Sequence, residues 1–260
     1  MFSKMITIKT KDEIKYLKEG GIKLAEVLDE VEKNIEEGVS TKYLNDIAHN
    51  AILKRRAKPS FLNYQPGGAP SPYPAAMCTC INEEIVHSIP SERKLKKGDL
   101  FSFDLGLWHK DLCTDAARTV LVGGEGSELA KKLLRVTKAS LYEGINVIKE
   151  GAKLGDIGNA IQSYVEKNSN FGIVRDLSGH GVGYKVHEEP YVLNYGRKGT
   201  GELLLEGMVL ALEPMITEGD FNIKHSEDGW GIETMDGKLS AHYEHSVAVT
   251  KDGFEILTEK

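Results

Sequence analysis

Four acids and one histidine stand at positions where such groups are costly. Asp104 lies inside the apolar run FSFDLGLWH, and Asp115 follows eleven residues later in CTDAART. Glu213 ends the run Val209-Leu210-Ala211-Leu212 and precedes Pro214. Glu244 opens an alternating stretch in LSAHYEHSVAVT, and His180 stands among glycines in SGHGVG. A carboxylate at a buried strand end is unfavourable unless something cationic or hydrogen-bonding answers it. Four oxygen donors and one imidazole suit two divalent ions that share bridging carboxylates. Zinc, manganese, iron and cobalt all fit this set, whereas copper(I) does not. Two such ions roughly 3.5–4 Å apart activate a water and polarise a carbonyl, which is hydrolytic chemistry. Each residue also has an ordinary explanation on its own. Glu213 could cap a turn, Glu244 could pair with His245, His180 could be a satisfied core histidine, and the aspartates could be acids of a solvated hairpin. The joint placement of all five favours the metal reading.

The elements that would carry these residues follow from periodicity. Alternation puts Phe101, Phe103, Leu105 and Leu107 on one strand face and Asp104 on the other. A tight turn at His109-Lys110 would pair Trp108 with Asp111 and set Asp104 opposite Asp115 on one face, about 5 Å apart at Cβ. Thr10 to Glu13 forms a capping box that opens a helix reaching to about Ile35. Ser40 or Thr41 caps a second helix through Leu53. The Pro-, Gly- and Ser-rich stretch from Pro59 to Pro74 is long for a connection within a domain, and such loops are often functional; a solvated surface insertion is the other reading. Met77–Ile81 and Glu84–Ile89 read as strands, Ser127–Glu150 and Leu154–Asn168 as helices, and the chain beyond Gly172 as strands and turns.

The second half repeats the first. Glu37-Gly38 leads into Asp46-Ile47-Ala48-His49-Asn50-Ala51-Ile52, and Glu150-Gly151 leads into Asp156-Ile157-Gly158-Asn159-Ala160-Ile161. His87-Ser-Ile-Pro90 is echoed by His187-Glu-Glu-Pro190, and Gly98-DLFSF-Asp104 by Gly207-MVLAL-Glu213. Four matches in one order imply a duplication: two helix–helix–sheet halves with the sheets forming one surface and the helices covering the other face. Asp104 and Glu213 would then meet near a pseudo-twofold axis.

Composition narrows the class. The chain has 260 residues, 40% hydrophobic and 28% charged, which is an ordinary soluble globular balance. A net charge of −6 argues against a nucleic-acid footprint. No apolar run approaches a membrane span, and MFSKMITIKTKDE lacks a signal-peptide core, so a cytosolic chain is expected. Cys78, Cys80 and Cys113 do not make a disulfide framework. Cys78-Thr-Cys80, with no second pair, does not read as a structural zinc site.

From about Ile6 to Thr258 the chain resembles the type I methionine aminopeptidases of the bacterial kind, in metallopeptidase family M24. The matched positions are Asp104, Asp115, His180 in GHGVG, Glu213 in EPM and Glu244 in YEHS. The resemblance implies an α/β (α+β) pita-bread fold, with a curved antiparallel sheet, covering helices and pseudo-twofold halves at about 6–125 and 126–258 of one catalytic domain, 1–260. It implies two divalent ions (Mn, Fe, Co or Zn), with Asp115 and Glu244 bridging, Asp104 chelating one ion, and His180 and Glu213 completing the other. His187 would position and stabilise the scissile carbonyl, His87 would help the leaving amine, and Glu213 would shuttle a proton. Cys78, Tyr73 and Trp230 match positions lining the substrate side-chain pocket, where a thiol and aromatics suit a thioether; plain core packing is the other explanation for them.

The implied activity is removal of the N-terminal methionine from newly made chains, favouring a small second residue. Nascent N-termini would be the partners, with transient ribosome association, no nucleic-acid or membrane specificity, and a cytoplasmic monomer. The chain departs from the family pattern in the loop NYQPGGAPSPYP, where Tyr64 takes the place of the first aromatic, and at Ser88, Thr114 and Val186. These departures bear on selectivity. Two rival readings remain at this point. One is an Xaa-Pro peptidase of the same fold, whose members usually carry an extra N-terminal domain that this length would not hold. The other is a non-catalytic binding homologue, which would be expected to have lost ligands.

Overall fold

The structure is a computed structural model that describes residues 6–69 and 71–260. The expectation drawn from the first five residues therefore lies outside the described residues, as does Pro70 of the Pro/Gly-rich loop. The first half runs α1 (Lys11–Glu32), α2 (Thr41–Lys54), β1 (Lys58–Pro59), β2 (Cys78–Ile81), β3 (Glu84–Val86), β4 (Leu100–His109) and β5 (Leu112–Leu121). Next come α3 (Glu128–Asn146) and α4 (Leu154–Asn168). The strands that follow are β6 (Gly172–Ile173), β7 (Gly179–Gly181), β8 (Glu188–Val192), β9 (Val209–Leu212), β10 (Met215–Thr217), β11 (Ile223–His225), β12 (Ile232–Thr234), β13 (Ser240–His242), β14 (His245–Val249) and β15 (Phe254–Ile256).

Local chemistry sets the helix boundaries. Thr10 accepts from Glu13 N and Glu13 answers the Thr10 amide at 2.7 Å, completing the expected capping box, which is worth about 1 kcal/mol. The helix stops at Glu32, short of Ile35, because Asn34 Nδ2 turns back onto Glu30 O. Likewise α3 ends at Asn146, before Glu150; Ile148 N closes a turn on Ile145 O, and Gly151 then takes a φ of +82°. Strand β3 stops at Val86 because His87 adopts a left-handed φ of +64°, which extended pairing does not allow.

The helices cover one sheet face. Leu24, Val27 and Leu28 of α1 and Leu44, Ala48 and Ile52 of α2 pack with Phe101, Phe103, Leu105 and Leu107 of β4. Ile145, Ile157 and Ile161 pack with Leu210, Leu212 and Val247 in the second half. Each such fully buried large side chain stabilises the fold by about 1.5–3 kcal/mol. That face takes the odd-numbered residues of β4, so Asp104 is turned to the other one.

The strand pairing makes the duplication visible. β4 lies between β2 and β5, and β9 lies between β7 and β14, all antiparallel. Cys80 pairs with Ser102 and His180 pairs with Ala211. Asp104 and Glu213 each follow two residues after those partners, and His87 and His187 each follow seven residues after Cys80 and His180. A further sheet, β11-β12-β3, joins strands from before and after α3 and α4.

The β4–β5 register differs from the expected one. The turn is Lys110-Asp111, with φ of +50° and +59°, so Trp108 faces Cys113, Asp104 faces Ala117, and Gly106 faces Asp115. Two central residues at positive φ are what a two-residue hairpin of this hand requires, and Asp tolerates that conformation. The slip is two residues, so strand parity is unchanged and both aspartates still share a face.

Candidate active site

Hydroxyl groups staple the two halves together where the acids meet. Ser246 Oγ accepts from Asp115 N at 2.9 Å and donates to Asp115 O at 2.8 Å. Glu244 N donates to Ala117 O at 3.0 Å. Thr119 Oγ1 accepts from His242 N at 2.9 Å and donates to His242 O at 2.6 Å. Strand β5 is thus tied to residues 242–246, and Asp115 and Glu244 become neighbours across that seam. Gly106 makes room beside them: a Cβ there would stand 2.3 Å from Ser60 Oγ.

Asp104, Asp115, His180, Glu213 and Glu244 line one cavity of about 60 Å³. His87, His187, Tyr73, Cys78 and Trp230 line the same cavity, so the candidate metal, catalytic and pocket residues all converge. Ligand atoms of Asp115, His180 and Glu244 lie within 4.8 Å of one another, and these residues are 2%, 5% and 3% exposed. Two much larger hollows, about 700 and 1040 Å³, lie among charged surface residues and contain none of the site residues. Size does not mark the chemistry here; convergent buried polar groups do.

The donor set fits a divalent cation. Asp104 Oδ1, Asp115 Oδ1 and Glu244 Oε1 are buried without a hydrogen-bond partner among the described residues. Burial, then the Asp115 and Glu213 charges, holds the Asp104 carboxyl well above its usual range. Burial and Glu213 raise Asp115 to about 7, and burial raises Glu213 to about 8. Glu244 is raised by burial first and then by Asp115, Asp104 and Glu213. Mutually repelling buried acids are costly without a counter-charge, and a bound cation inverts that logic. His180 is prepared for ligation. Its Nδ1 donates to Gly181 O at 2.9 Å, which leaves the Nε2 lone pair 3.5 Å from Glu213 Oε1. Burial, then His187, pushes His180 down to about 3, so the ring is neutral at pH 7.

The remaining residues form the rim and an apolar pocket. His187 stacks edge-on against His180 with ring centroids 4.4 Å apart. Although solvent reaches its outer side, desolvation of the packed face pushes His187 down to about 4. His87, lowered to about 4 by burial and then by His187, holds its strained backbone at the site, where such strain is commonly concentrated. Tyr73 donates to Ser88 O at 2.9 Å and meets Trp230 edge-to-face at 5.0 Å. Cys78 pairs directly with Asp104 across β2 and β4, so the pocket adjoins the acids.

Two contributors were not singled out in these roles. His242 Nε2 is buried, 3.5 Å from Glu213 Oε2, with no hydrogen-bond partner among the described residues. It ends β13, and the chain leaves the strand before Glu244, so strand periodicity does not link the two. Tyr64 bonds His187 Nδ1 at 2.8 Å over 123 residues of sequence, which no local pattern reveals. Thr114 turns away from the cavity toward α1 at Gly20. Val186 packs in the cluster that includes Phe61, Tyr73 and Cys78, behind the pocket.

Comparison with known proteins agrees with this geometry. Residues 15–251 match the model of Metallopeptidase family M24. The methionine aminopeptidase of Clostridium acetobutylicum is 46% identical over 255 residues, covering 98% of this chain and 99% of that protein. The crystal structure of methionine aminopeptidase from Rickettsia prowazekii superimposes with a TM-score of 0.93 at 42% identity, covering 98% of this chain and all of that one. The prolidase from Pyrococcus furiosus, at 20% identity and a TM-score of 0.73, covers 97% of this chain and 65% of that one and shares the fold alone. No helix of the described residues is long and apolar enough to cross a membrane. With its helices on one face and its acids converging on the other, the chain belongs to metallopeptidase family M24, among the methionine aminopeptidases.

Proposed function

We propose that this chain releases the N-terminal methionine from newly made proteins and peptides, preferring a small second residue, as a metal-dependent aminopeptidase. The observation that carries the reading is the set of unpartnered buried carboxylate oxygens on Asp104, Asp115 and Glu244 beside an apolar, sulfur-containing pocket. Asp104, Asp115, His180, Glu213 and Glu244 would hold two divalent ions (Mn, Fe, Co or Zn), with Asp115 and Glu244 as the shared ligands, Asp104 serving one ion, and His180 and Glu213 the other. Such ions, when bound, polarise a carbonyl and lower the pKa of water. Glu213 carries the proton from water toward the leaving amine. His187 donates to the carbonyl oxygen as charge develops there, and His87 steadies the departing amine. Tyr73, Cys78 and Trp230 receive the methionine side chain. One catalytic domain, 1–260, built of halves at about 6–125 and 126–258, acts as a cytoplasmic monomer on nascent N-termini, with transient contact to the ribosome.

Purified protein loaded with manganese or cobalt is expected to release methionine from Met-Ala-Ser and to leave Ala-Pro-Ala intact. Turnover of Ala-Pro-Ala in preference would indicate an Xaa-Pro peptidase. Metal binding without turnover of either peptide would indicate a binding homologue.

A further inference from the structure

Within the rim, His187 is gripped by two rings. Its ring meets His180 at 4.4 Å and 88°, and also meets Tyr64 at 5.3 Å and 65°. The Tyr64 hydroxyl lies 2.8 Å from His187 Nδ1. The backbone beneath the ring is pinned as well. Glu188 forms a buried ion pair with Lys9 at 2.8 Å, and Cys113 N donates to Gly183 O at 2.7 Å.

Tyr64 is itself fixed by a closed neck. Asn63 N donates to Tyr73 O and Tyr73 N donates to Tyr64 O, each at 2.8 Å, while Tyr64 N donates to Phe61 O at 2.9 Å. The Pro- and Gly-rich residues between Tyr64 and Tyr73 therefore leave from a hydrogen-bonded base. That base presents Tyr64 to His187 on one side and Tyr73 to Trp230 on the other.

A neutral imidazole carries one N–H, and its other nitrogen accepts. If Nδ1 donated to the phenol, Nε2 would turn a bare lone pair toward a substrate carbonyl oxygen, and the phenol hydrogen would need another acceptor. The reverse arrangement satisfies the phenol hydrogen and Nδ1 together and leaves Nε2–H to donate to that oxygen. We propose that Tyr64 is a positioning residue for catalysis, its hydroxyl donating to His187 Nδ1 and so keeping the hydrogen on Nε2, ready for the developing oxyanion. This rests on the aminopeptidase reading for the task of His187, and on geometry alone for the way the ring is held.

The test begins with metal-free, ¹⁵N-labelled protein. Two-bond ¹H–¹⁵N correlation of the histidine rings, with His187→Gln to assign the signal, shows which nitrogen bears the hydrogen. A single Nε2–H form in the wild type that becomes a mixture in Tyr64→Phe is expected. Hydrogen on Nδ1, both nitrogens protonated, or a form unchanged in Tyr64→Phe overturns the proposal. In the metal-loaded enzyme, Tyr64→Phe keeps the ring but is expected to lower kcat for Met-Ala-Ser by about tenfold with KM little changed, the cost of slight misplacement. It should have no further effect in a His187→Gln background, whereas losses that multiply overturn the proposal. A purely steric role would show as wild-type rates in Tyr64→Phe with loss only in Tyr64→Leu. If the wild type releases no methionine, the functional reading fails while the ring correlation still decides the role of Tyr64.

Discussion

In the first half, Asp104 and Asp115 stand within the continuous strands β4 and β5, whereas in the second half Glu213 and Glu244 stand in gaps between strands. A continuous hairpin aims its acids by register alone. The gaps do something more, because the chain leaves the β9 sheet at Glu213 and enters the β10 sheet. That bend brings His242 of β13 against Glu213. His180 adds a second difference: it takes the register position held by Cys80 in the first half. Duplication thus supplies one equivalent acid pair, Asp104 and Glu213. By the same register His242 is the counterpart of Asp115 and Glu244 that of Ala117, so acids and imidazoles are distributed unequally between the halves. The expected site is asymmetric, with one oxygen-rich metal position and one that has a nitrogen ligand.

The hardest break removes one of the acids proposed to be shared between the ions, from either half. Asp115→Asn and Glu244→Gln should each lower kcat/KM on Met-Ala-Ser by about 10³-fold or more, since Lewis-acid stabilisation is worth several kcal/mol. Calorimetric metal titration should show the same loss from both sides, and an effect confined to one half would mean that the acids are not shared. Cutting the seam comes next. Ser246→Ala strands the buried Asp115 amide and carbonyl, so urea denaturation should show a loss of about 1–3 kcal/mol, and metal affinity should fall about tenfold.

Acid repulsion gives a third measurement. Asp115 at about 7 and Glu213 at about 8 compare with about 4 in the unfolded chain. The folded, metal-free protein therefore holds protons that the unfolded chain has released. This contribution is complete below about pH 4 and is lost as pH rises through the folded values. Histidines pushed down to about 3 or 4 act in the opposite sense, but only below about pH 6.5. Chelator-treated protein should accordingly lose thermal stability between about pH 6.5 and 8, and saturating Mn²⁺ should abolish the slope. A smaller effect isolates the asymmetry. His242→Ala should weaken metal binding about tenfold, with His242→Gln restoring most of it through its amide donor. The smallest lies outside the cavity: Thr114→Val, replacing a buried hydroxyl with no partner among the described residues, should stabilise the fold by about 1 kcal/mol and leave kcat unchanged.

Much of this was legible because each acid interrupts an apolar pattern. Phe101, Phe103, Leu105 and Leu107 had to face the helices, which turned Asp104 toward the cavity whatever the turn type. The register was misplaced because the choice between His109-Lys110 and Lys110-Asp111 depends on which pair adopts positive φ. The aspartates survived that error because a two-residue slip conserves the face. His242 was not readable from its spacing to Glu244, because β13 ends at His242 and the chain breaks before Glu244. Tyr64 was hidden too, since its contact with His187 depends on how a loop closes at Asn63 and Tyr73. The strain at His87 was hidden as well, because sequence periodicity carries no φ.

Anomalous scattering from Mn²⁺-loaded crystals tests the shared site most directly. Two peaks about 3.5–4 Å apart, with Asp115 and Glu244 touching both, Asp104 on one, and His180 and Glu213 on the other, are expected. Peaks held by the acids of one half alone, or by none of these residues, would contradict a metal centre built across the seam.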